Sequence, residues 1–102
     1  MVIIKKYPFI AFIKAHADSS IPLQEWYHSV KSASWKNHAD LKAHYPSADF
    51  IGNGRYVFNI KGNKYRLIAF VHFKIRTVFI KFIGTHAEYD KIDPKTIEQI
   101  DY

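Results

Sequence analysis

The fold of this 102-residue chain is decided by residues 55–85, which read RYVFNIKGNKYRLIAFVHFKIRTVFIKFIGT. β-Branched and aromatic residues are frequent in this stretch, and apolar and polar side chains alternate over residues 58–61 and 71–76, as is typical of half-buried β-strands. Gly62-Asn63 predicts a turn because both residue types tolerate a positive φ, and Ile75-Arg76 is predicted as a second, weaker turn. The stretch therefore predicts three antiparallel strands over residues 55–61, 64–73 and 77–85.

The two turns also predict a strand register. The predicted partners are Lys61 with Lys64, Ile60 with Tyr65, Asn59 with Arg66 and Phe58 with Leu67, then Phe73 with Val78, Val71 with Ile80, Ala69 with Phe82 and Arg66 with Thr85. This register collects an almost wholly apolar set on one face: Phe58, Ile60, Tyr65, Leu67, Ala69, Val71, Phe73, Val78, Ile80 and Phe82. A slip by one residue would scatter the set over both faces, so we expect this face to pack against helices.

The opposite face of the predicted sheet is basic. It carries Val57, Asn59, Lys61, Lys64, Arg66, Ile68, Phe70, Phe79, Lys81 and Thr85. The third strand ends beside the first turn, so His86 is expected to emerge near Lys61, Lys64 and Arg66. Residues 50–87 contain seven Lys or Arg and no Asp or Glu. Such an unopposed positive field attracts a polyanion, and a nucleic-acid backbone is a common one.

The first half of the chain predicts helices. Residues 2–4 form a short β-branched run typical of a strand, and Pro8 and Pro22 each suit the first turn of a helix. Asn37 followed by Asp40 indicates the start of a third, short helix that ends near Tyr45. We therefore predict a single α+β domain over residues 1–102, with an N-terminal strand and two to three helices packed on one face of a twisted antiparallel β-meander.

Composition excludes several classes of protein. The chain has no cysteine, so disulfides, thiolate metal sites and cysteine nucleophiles are excluded. No apolar run approaches the roughly 18 residues of a membrane span, and no signal peptide is evident. The formal net charge is +6. We expect a cytoplasmic protein with an anionic partner, no membrane association and no cofactor.

Two segments of the chain resemble a known family. Residues 59–68, which read NIKGNKYRLI, and residues 84–91, which read GTHAEYDK, are similar to the HigB-type toxins of bacterial toxin–antitoxin pairs, within the RelE superfamily. The resemblance implies a RelE/ParE-like fold and an mRNA interferase that cuts messenger RNA during translation on the ribosome. It also implies neutralisation by a HigA-type antitoxin.

The resemblance and the predicted register together give candidate site residues. Arg66 matches the phosphate-binding arginine of RelE-type toxins, and a planar guanidinium suits a phosphate because it donates two hydrogen bonds at fixed geometry. His86 is the expected proton carrier because imidazole titrates near neutral pH, and Tyr89 is a second candidate. These three are the predicted catalytic residues. The predicted RNA- or phosphate-binding residues are Asn59, Lys61, Lys64, Lys81, Thr85 and Asp90.

Other interpretations of the same residues stay open. Arg66 could form a structural ion pair with the C-terminal acids, and His86 could simply cap a turn. The spacing of His86, Tyr89 and Asp90 could suggest a metal site, but nothing else has ligand spacing, so we predict none. A ParE-like toxin that inhibits gyrase and a non-catalytic RNA-binding module are the two alternative functions.

Overall fold

A five-stranded mixed sheet with helices on one face forms the body of the protein, and the computed structural model describes residues 1–4 and 7–98. The strands are β1 Val2–Ile4, β2 Asp49–Gly52, β3 Arg55–Ile60, β4 Tyr65–His72 and β5 Thr77–Thr85, and the helices are α1 Tyr7–Ala15, α2 Ser20–Lys31, α3 His38–His44 and α4 His86–Tyr89. The strand order is β1-β5-β4-β3-β2. β1 is parallel to β5 and all other neighbours are antiparallel.

The main core lies between the helices and one face of the sheet. Nine of the ten residues predicted for that face pack there, with Phe73 only partly buried, and they meet Phe9, Phe12, Leu23, Trp26, Val30 and Leu41 from the helices. The predicted α+β architecture is therefore confirmed. The remaining residue, Phe82, was predicted wrongly: it lies on the opposite face with Val57 and Ile68.

The first hairpin has nearly the predicted register. Ile60 pairs with Tyr65, Asn59 with Arg66 and Phe58 with Leu67. The two-residue loop was wrong, because the ladder closes at Ile60 and Tyr65 and the backbone turns through residues 61–64. The positive φ angles fall on Lys61 and Gly62 rather than on Asn63. The loop is still closed by the Lys64 amide, which donates to the Lys61 carbonyl.

The second hairpin departs further from the prediction. A 3-10 turn over Phe73–Ile75, followed by a left-handed Arg76, closes it, so His72 pairs with Thr77. The predicted partners Phe73 with Val78, Val71 with Ile80, Ala69 with Phe82 and Arg66 with Thr85 are therefore wrong. The observed partners are Val71 with Val78, Ala69 with Ile80, Ile68 with Phe82, Arg66 with Gly84 and Tyr65 with Thr85.

A β-bulge explains why Phe82 changes face. Ile68 pairs with Phe82, but the next residue of β4, Ala69, pairs with Ile80. Lys81 on β5 is therefore an extra residue without a partner on β4. A bulge of this kind reverses the alternation of side chains beyond it. Phe82 therefore points to the outer face and Ile83 to the main core.

The outer face is covered by the end of the chain. Residues 90–98, here called the C-terminal strap, cross this face, and Ile92 and Ile97 pack with Tyr89 against Val57, Ile68 and Phe82. The Arg55 side chain fastens the strap: Nη1 donates to the carbonyls of Pro94 at 3.3 Å and Ile97 at 2.7 Å. Arg55 Nη2 lies 3.3 Å from the Glu98 carboxylate. The predicted basic face is thus partly closed, and its open part lies near α4.

Candidate active site

Arg66 is a half-buried cation that lies over an aromatic ring. It lies on the outer face of β4 between Asn59 and Gly84, and its guanidinium carbon is 4.8 Å from the centroid of the Tyr89 ring. Its Nε is buried without a hydrogen-bond partner, and no ion pair joins the guanidinium to any residue that the structure describes. The expected alternative, pairing with the C-terminal acids, belongs instead to Arg55 and Lys81, which both bind Glu98.

The stack with Tyr89 orients the guanidinium without consuming its charge. A planar guanidinium over an aromatic ring is held by cation–π attraction and keeps its in-plane N–H donors available. The ring also shields one face of the arginine from water. Arg66 is therefore prepared to accept an anion such as a phosphate.

Helix α4 presents the two candidate proton carriers. Thr85 is its N-cap: Thr85 Oγ1 accepts from the Glu88 amide at 3.1 Å, and the Thr85 amide donates to Glu88 Oε1 at 2.8 Å. This reciprocal capping box fixes the first turn. His86 and Tyr89 consequently lie three residues apart on one side of the turn. Thr85 does not lie beside Arg66 as predicted, because it pairs with Tyr65.

His86 is exposed and has one acidic neighbour. Its Nε2 lies 3.6 Å from Asp90 Oδ2, one helical turn further on. The Asp90 carboxylate therefore lies near the imidazole at the distance of a loose ion pair. Exposure leaves the imidazole accessible to a substrate and to water.

Gly84 is a site residue that the sequence analysis missed. It pairs with Arg66, and a Cβ atom built on it would lie 2.5 Å from the Phe82 ring and 3.2 Å from Glu88 Cβ. An added methyl would force the Phe82 ring to shift and would crowd Glu88, so glycine fits best where β5 passes into α4. The glycine preceding the capping threonine was the available signal.

Lys61 and Lys64 point away from Arg66. Both ammonium groups bind Asp18, with Nζ to Oδ2 distances of 3.2 Å for Lys61 and 2.5 Å for Lys64, and the Tyr65 hydroxyl donates to the other carboxylate oxygen. These hydrogen bonds, Lys64 foremost, hold the pKa of Asp18 well below its usual range. The same carboxylate raises the pKa of Lys64 and of Tyr65. No local sequence pattern indicates this long-range cluster.

The remaining predicted residues occupy separate positions. Asn59 is exposed beside Arg66 on the neighbouring strand. Lys81 is the bulged residue, and its ammonium lies 2.9 Å from Glu98 with only 17% of the side chain exposed. The structure therefore makes two separate contacts, Arg66 with Tyr89 and His86 with Asp90, at the two ends of α4. The three lysines bind Asp18 or Glu98 instead.

An open groove adjoins α4 at the end of the sheet. It has a volume of about 720 Å³ and is lined by residues 15–18, 63–65 and 85–87. We call it the sheet-end groove. In the described ranges, His, Asp and Glu side chains nowhere gather in threes as a metal site would require. Within those same ranges no helix is both long and apolar enough to cross a bilayer.

The fold and the site together fit the class of small RelE-like toxins: helices lie on one face of the sheet, and on the other lies an arginine without an ion pair among the described residues. A family model described as HigB_toxin, RelE-like toxic component of a toxin-antitoxin system, matches residues 19–92. The chain belongs to this HigB family. Such a toxin has an antitoxin as its partner.

Curated relatives carry the same family name. The chain is 31% identical over 94 residues to the mRNA interferase HigB of Escherichia coli O6:H1, covering 90% of this chain and 91% of that protein. It is 36% identical over 64 residues to the mRNA interferase toxin HigB of Escherichia coli K12, covering 61% of this chain and 62% of that protein. The mRNA interferase HigB of Shigella flexneri matches to the same extent.

Proposed function

We propose that this chain is an endoribonuclease that cleaves messenger RNA on the translating ribosome, in the cytoplasm, and that a HigA-type antitoxin neutralises it. The observation that carries the proposal is Arg66: a half-buried guanidinium over the Tyr89 ring, with no ion pair to any residue in the described ranges. A half-buried cation that pairs with none of the described acidic residues is costly for a purely structural surface, but it suits a site that receives a phosphate.

The proposed reaction is attack by the ribose 2′-oxygen on the neighbouring phosphorus. The bond from phosphorus to the 5′-oxygen breaks, which leaves a 2′,3′-cyclic phosphate and a 5′-hydroxyl. A base takes the 2′-OH proton, and an acid gives a proton to the departing 5′-oxygen. Negative charge builds on the phosphorane oxygens between these steps, and donors aimed at that charge lower the barrier.

The residues around α4 take distinct roles in this proposal. Arg66 binds the phosphorane oxygens with its two-pronged geometry. His86 transfers a proton, and Asp90 at 3.6 Å orients its ring and stabilises the imidazolium. Tyr89 positions Arg66 through the stack and is the second candidate for proton transfer. Thr85 acts as the N-cap of α4, and it thereby fixes the position of His86, the first residue of that helix.

The predicted RNA contacts differ in how directly they can act. Asn59 is exposed beside Arg66 and can donate or accept at a base edge or phosphate. Lys61 and Lys64 reach RNA only around the end of the sheet. Lys81 would have to leave Glu98 before it could bind a phosphate, so we place it last among the proposed contacts.

The activity is tested by adding the purified chain to a defined messenger RNA with and without translating ribosomes, and mapping cut sites by primer extension. We expect cuts inside the translated region only when ribosomes are present. A messenger with 2′-deoxyribose at the mapped cut site should resist cleavage. No cleavage in either mixture, together with inhibition of gyrase supercoiling, would replace this proposal with a ParE-like function.

Substitutions separate the two candidate proton carriers. Tyr89→Phe keeps the ring under Arg66 and removes only the hydroxyl, whereas Tyr89→Ala removes the stack as well. If His86 carries the proton, His86→Gln slows cleavage by roughly 10²–10⁴-fold and Tyr89→Phe leaves the rate near that of the unaltered chain. The reverse pattern would assign proton transfer to the tyrosine.

A further inference from the structure

The sheet-end groove contains an imidazole that the proposed mechanism does not use. His16 comes from the link between α1 and α2, and His86 comes from the start of α4, yet both line the same groove of about 720 Å³. His86 is also one of the proposed catalytic residues around α4. The groove is therefore continuous with that group through a shared residue.

His16 is held rigidly but its ring nitrogens are left open. The ring packs on Phe12 at 4.5 Å and on Tyr65 at 5.4 Å between centroids. Its backbone carbonyl accepts both from the Ser19 amide at 3.0 Å and from the Ser19 hydroxyl at 2.6 Å. Neither ring nitrogen has a hydrogen-bond partner among residues 1–4 and 7–98. The ring is held in place and partly exposed, so its nitrogens and its exposed surface are available to bind a ligand.

The charge of the groove suits one phosphate. Lys64 and Asp18 line the groove, and Lys61, outside the lining, shares the same carboxylate. The three charges together leave one net positive charge beside the groove. The carboxylate already accepts from both lysines and from Tyr65. The carboxylate therefore holds the two ammonium groups in place, and it has little capacity left to bind a further cation.

The walls of the groove also leave room for a flat ring. Three of the lining residues, Ala15, Ala17 and Ala87, have methyl side chains. Together with the His16 ring they form a small apolar surface beside a positive charge. This combination matches a nucleotide, which has a flat base and an anionic phosphate, and stacking on flat side chains is how single-stranded nucleic acid is usually held.

From these observations we infer that the sheet-end groove binds the nucleotide next to the scissile one, with its base against His16 and its phosphate near Lys64. The inference rests on the proposed function, because it extends the RNA from Arg66 past His86 into the groove. It gives His16 and Lys64 a binding role and leaves the proton transfers to residues around α4.

The groove is tested with an uncleavable probe, the hexanucleotide A6 with 2′-O-methyl riboses, titrated into the purified chain. Histidine ring resonances in ¹H–¹³C spectra report where it binds. We expect the His16 and His86 rings to shift at saturation and the His28 ring to stay unchanged, because His28 is exposed on α2 and does not line this groove. His16→Ala should raise the Kd roughly 5- to 20-fold.

A matched set of variants separates a base contact from a folding defect. His16→Phe keeps a flat ring between Phe12 and Tyr65, so it should restore most of the affinity that His16→Ala loses. His28→Gln should leave the Kd unchanged. The inference is overturned if the His16 ring shifts no more than the His28 ring at millimolar probe, or if His16→Phe binds no better than His16→Ala.

The two proposals can fail separately. If the chain cleaves messenger RNA but the probe leaves His16 unmoved, the groove assignment fails and the nuclease stands. If the probe moves His16 but no messenger is cut, the groove binds RNA and the nuclease proposal fails.

Discussion

Replacing Arg55 with methionine should detach the C-terminal strap. Arg55 is only 7% exposed, and its guanidinium holds two backbone carbonyls and the Glu98 carboxylate. Hydrogen bonds to a charged group contribute about 1.5–3 kcal/mol each. The three bonds share one guanidinium, and the Glu98 side chain is 44% exposed, so we expect a loss of about 3 kcal/mol rather than their sum.

The assay is urea unfolding of the purified chain, followed by tryptophan fluorescence, because Trp26 and Trp35 are both buried in the main core. Lys81→Met is the matched control: it removes the second cation on Glu98 but leaves Arg55 bound to the strap. We expect it to cost about 1 kcal/mol or less. Equal losses for both variants, or a loss below about 1 kcal/mol for Arg55→Met, would refute the assignment of Arg55 as the strap's fastener.

Four further outcomes follow from the same structure. Leu67→Ala should lower the free energy of unfolding by about 2–4 kcal/mol in urea melts, because Leu67 is fully buried and its truncation would leave a cavity. A loss below about 1 kcal/mol would place Leu67 outside the core. Gly84→Ala should lower the melting temperature, because the new methyl would lie 2.5 Å from the Phe82 ring, and an unchanged melting temperature would contradict that close approach. Because the pKa of Asp18 is lowered in the folded protein, its cluster stabilises the fold fully above the ordinary carboxyl pKa of about 4, and this stabilisation is lost as the pH falls below it. In acid unfolding, Asp18→Asn should lack this pH-dependent loss, and identical acid unfolding curves for the two chains would count against the cluster. The antitoxin should associate faster at low salt, since exposed charges steer encounters and salt screens them, and a salt-independent on-rate in stopped flow would show that it first meets another surface.

The first hairpin could be predicted because two signals agreed. Polar and apolar residues alternate on both sides of the turn, over residues 58–61 and 65–67, and a glycine in the turn permits a positive φ. The second hairpin lacked such a signal: its turn contains no glycine, and a left-handed Arg76 takes the position that glycine usually fills. The bulge at Lys81 has no sequence pattern of its own, so the reversal of Phe82 could not be foreseen.

Two missed elements had signals of different strength. The capping box of Thr85 and Glu88 is a recognisable start of a helix, so α4 could have been predicted. Strand β2 was hidden because Gly52 and Gly54 frame its turn and break the alternation that marks a strand.

The candidate site also contains features that could be predicted from the sequence and features that could not. The placement of Arg66 on the outer face followed from the register of the first hairpin, whereas the contact of His86 with Asp90 depends on helix α4, which was not predicted. The ties of Lys61 and Lys64 to Asp18 join residues more than 40 positions apart. No local pattern encodes such a contact, because it depends on how the link between α1 and α2 packs against the sheet.

The central claim is that Arg66 binds the reacting phosphate, and single-turnover cleavage of ribosome-bound messenger RNA tests it most directly. Arg66→Ala is compared with Arg66→Lys and with Arg76→Ala, which removes the same charge at an exposed position at the far end of β5. We predict that Arg66→Ala loses roughly 10²–10³-fold in rate, that Arg66→Lys recovers only part of it because lysine lacks the two-pronged geometry, and that Arg76→Ala cleaves normally. Cleavage by a folded Arg66→Ala variant at the rate of the unaltered chain would contradict the account.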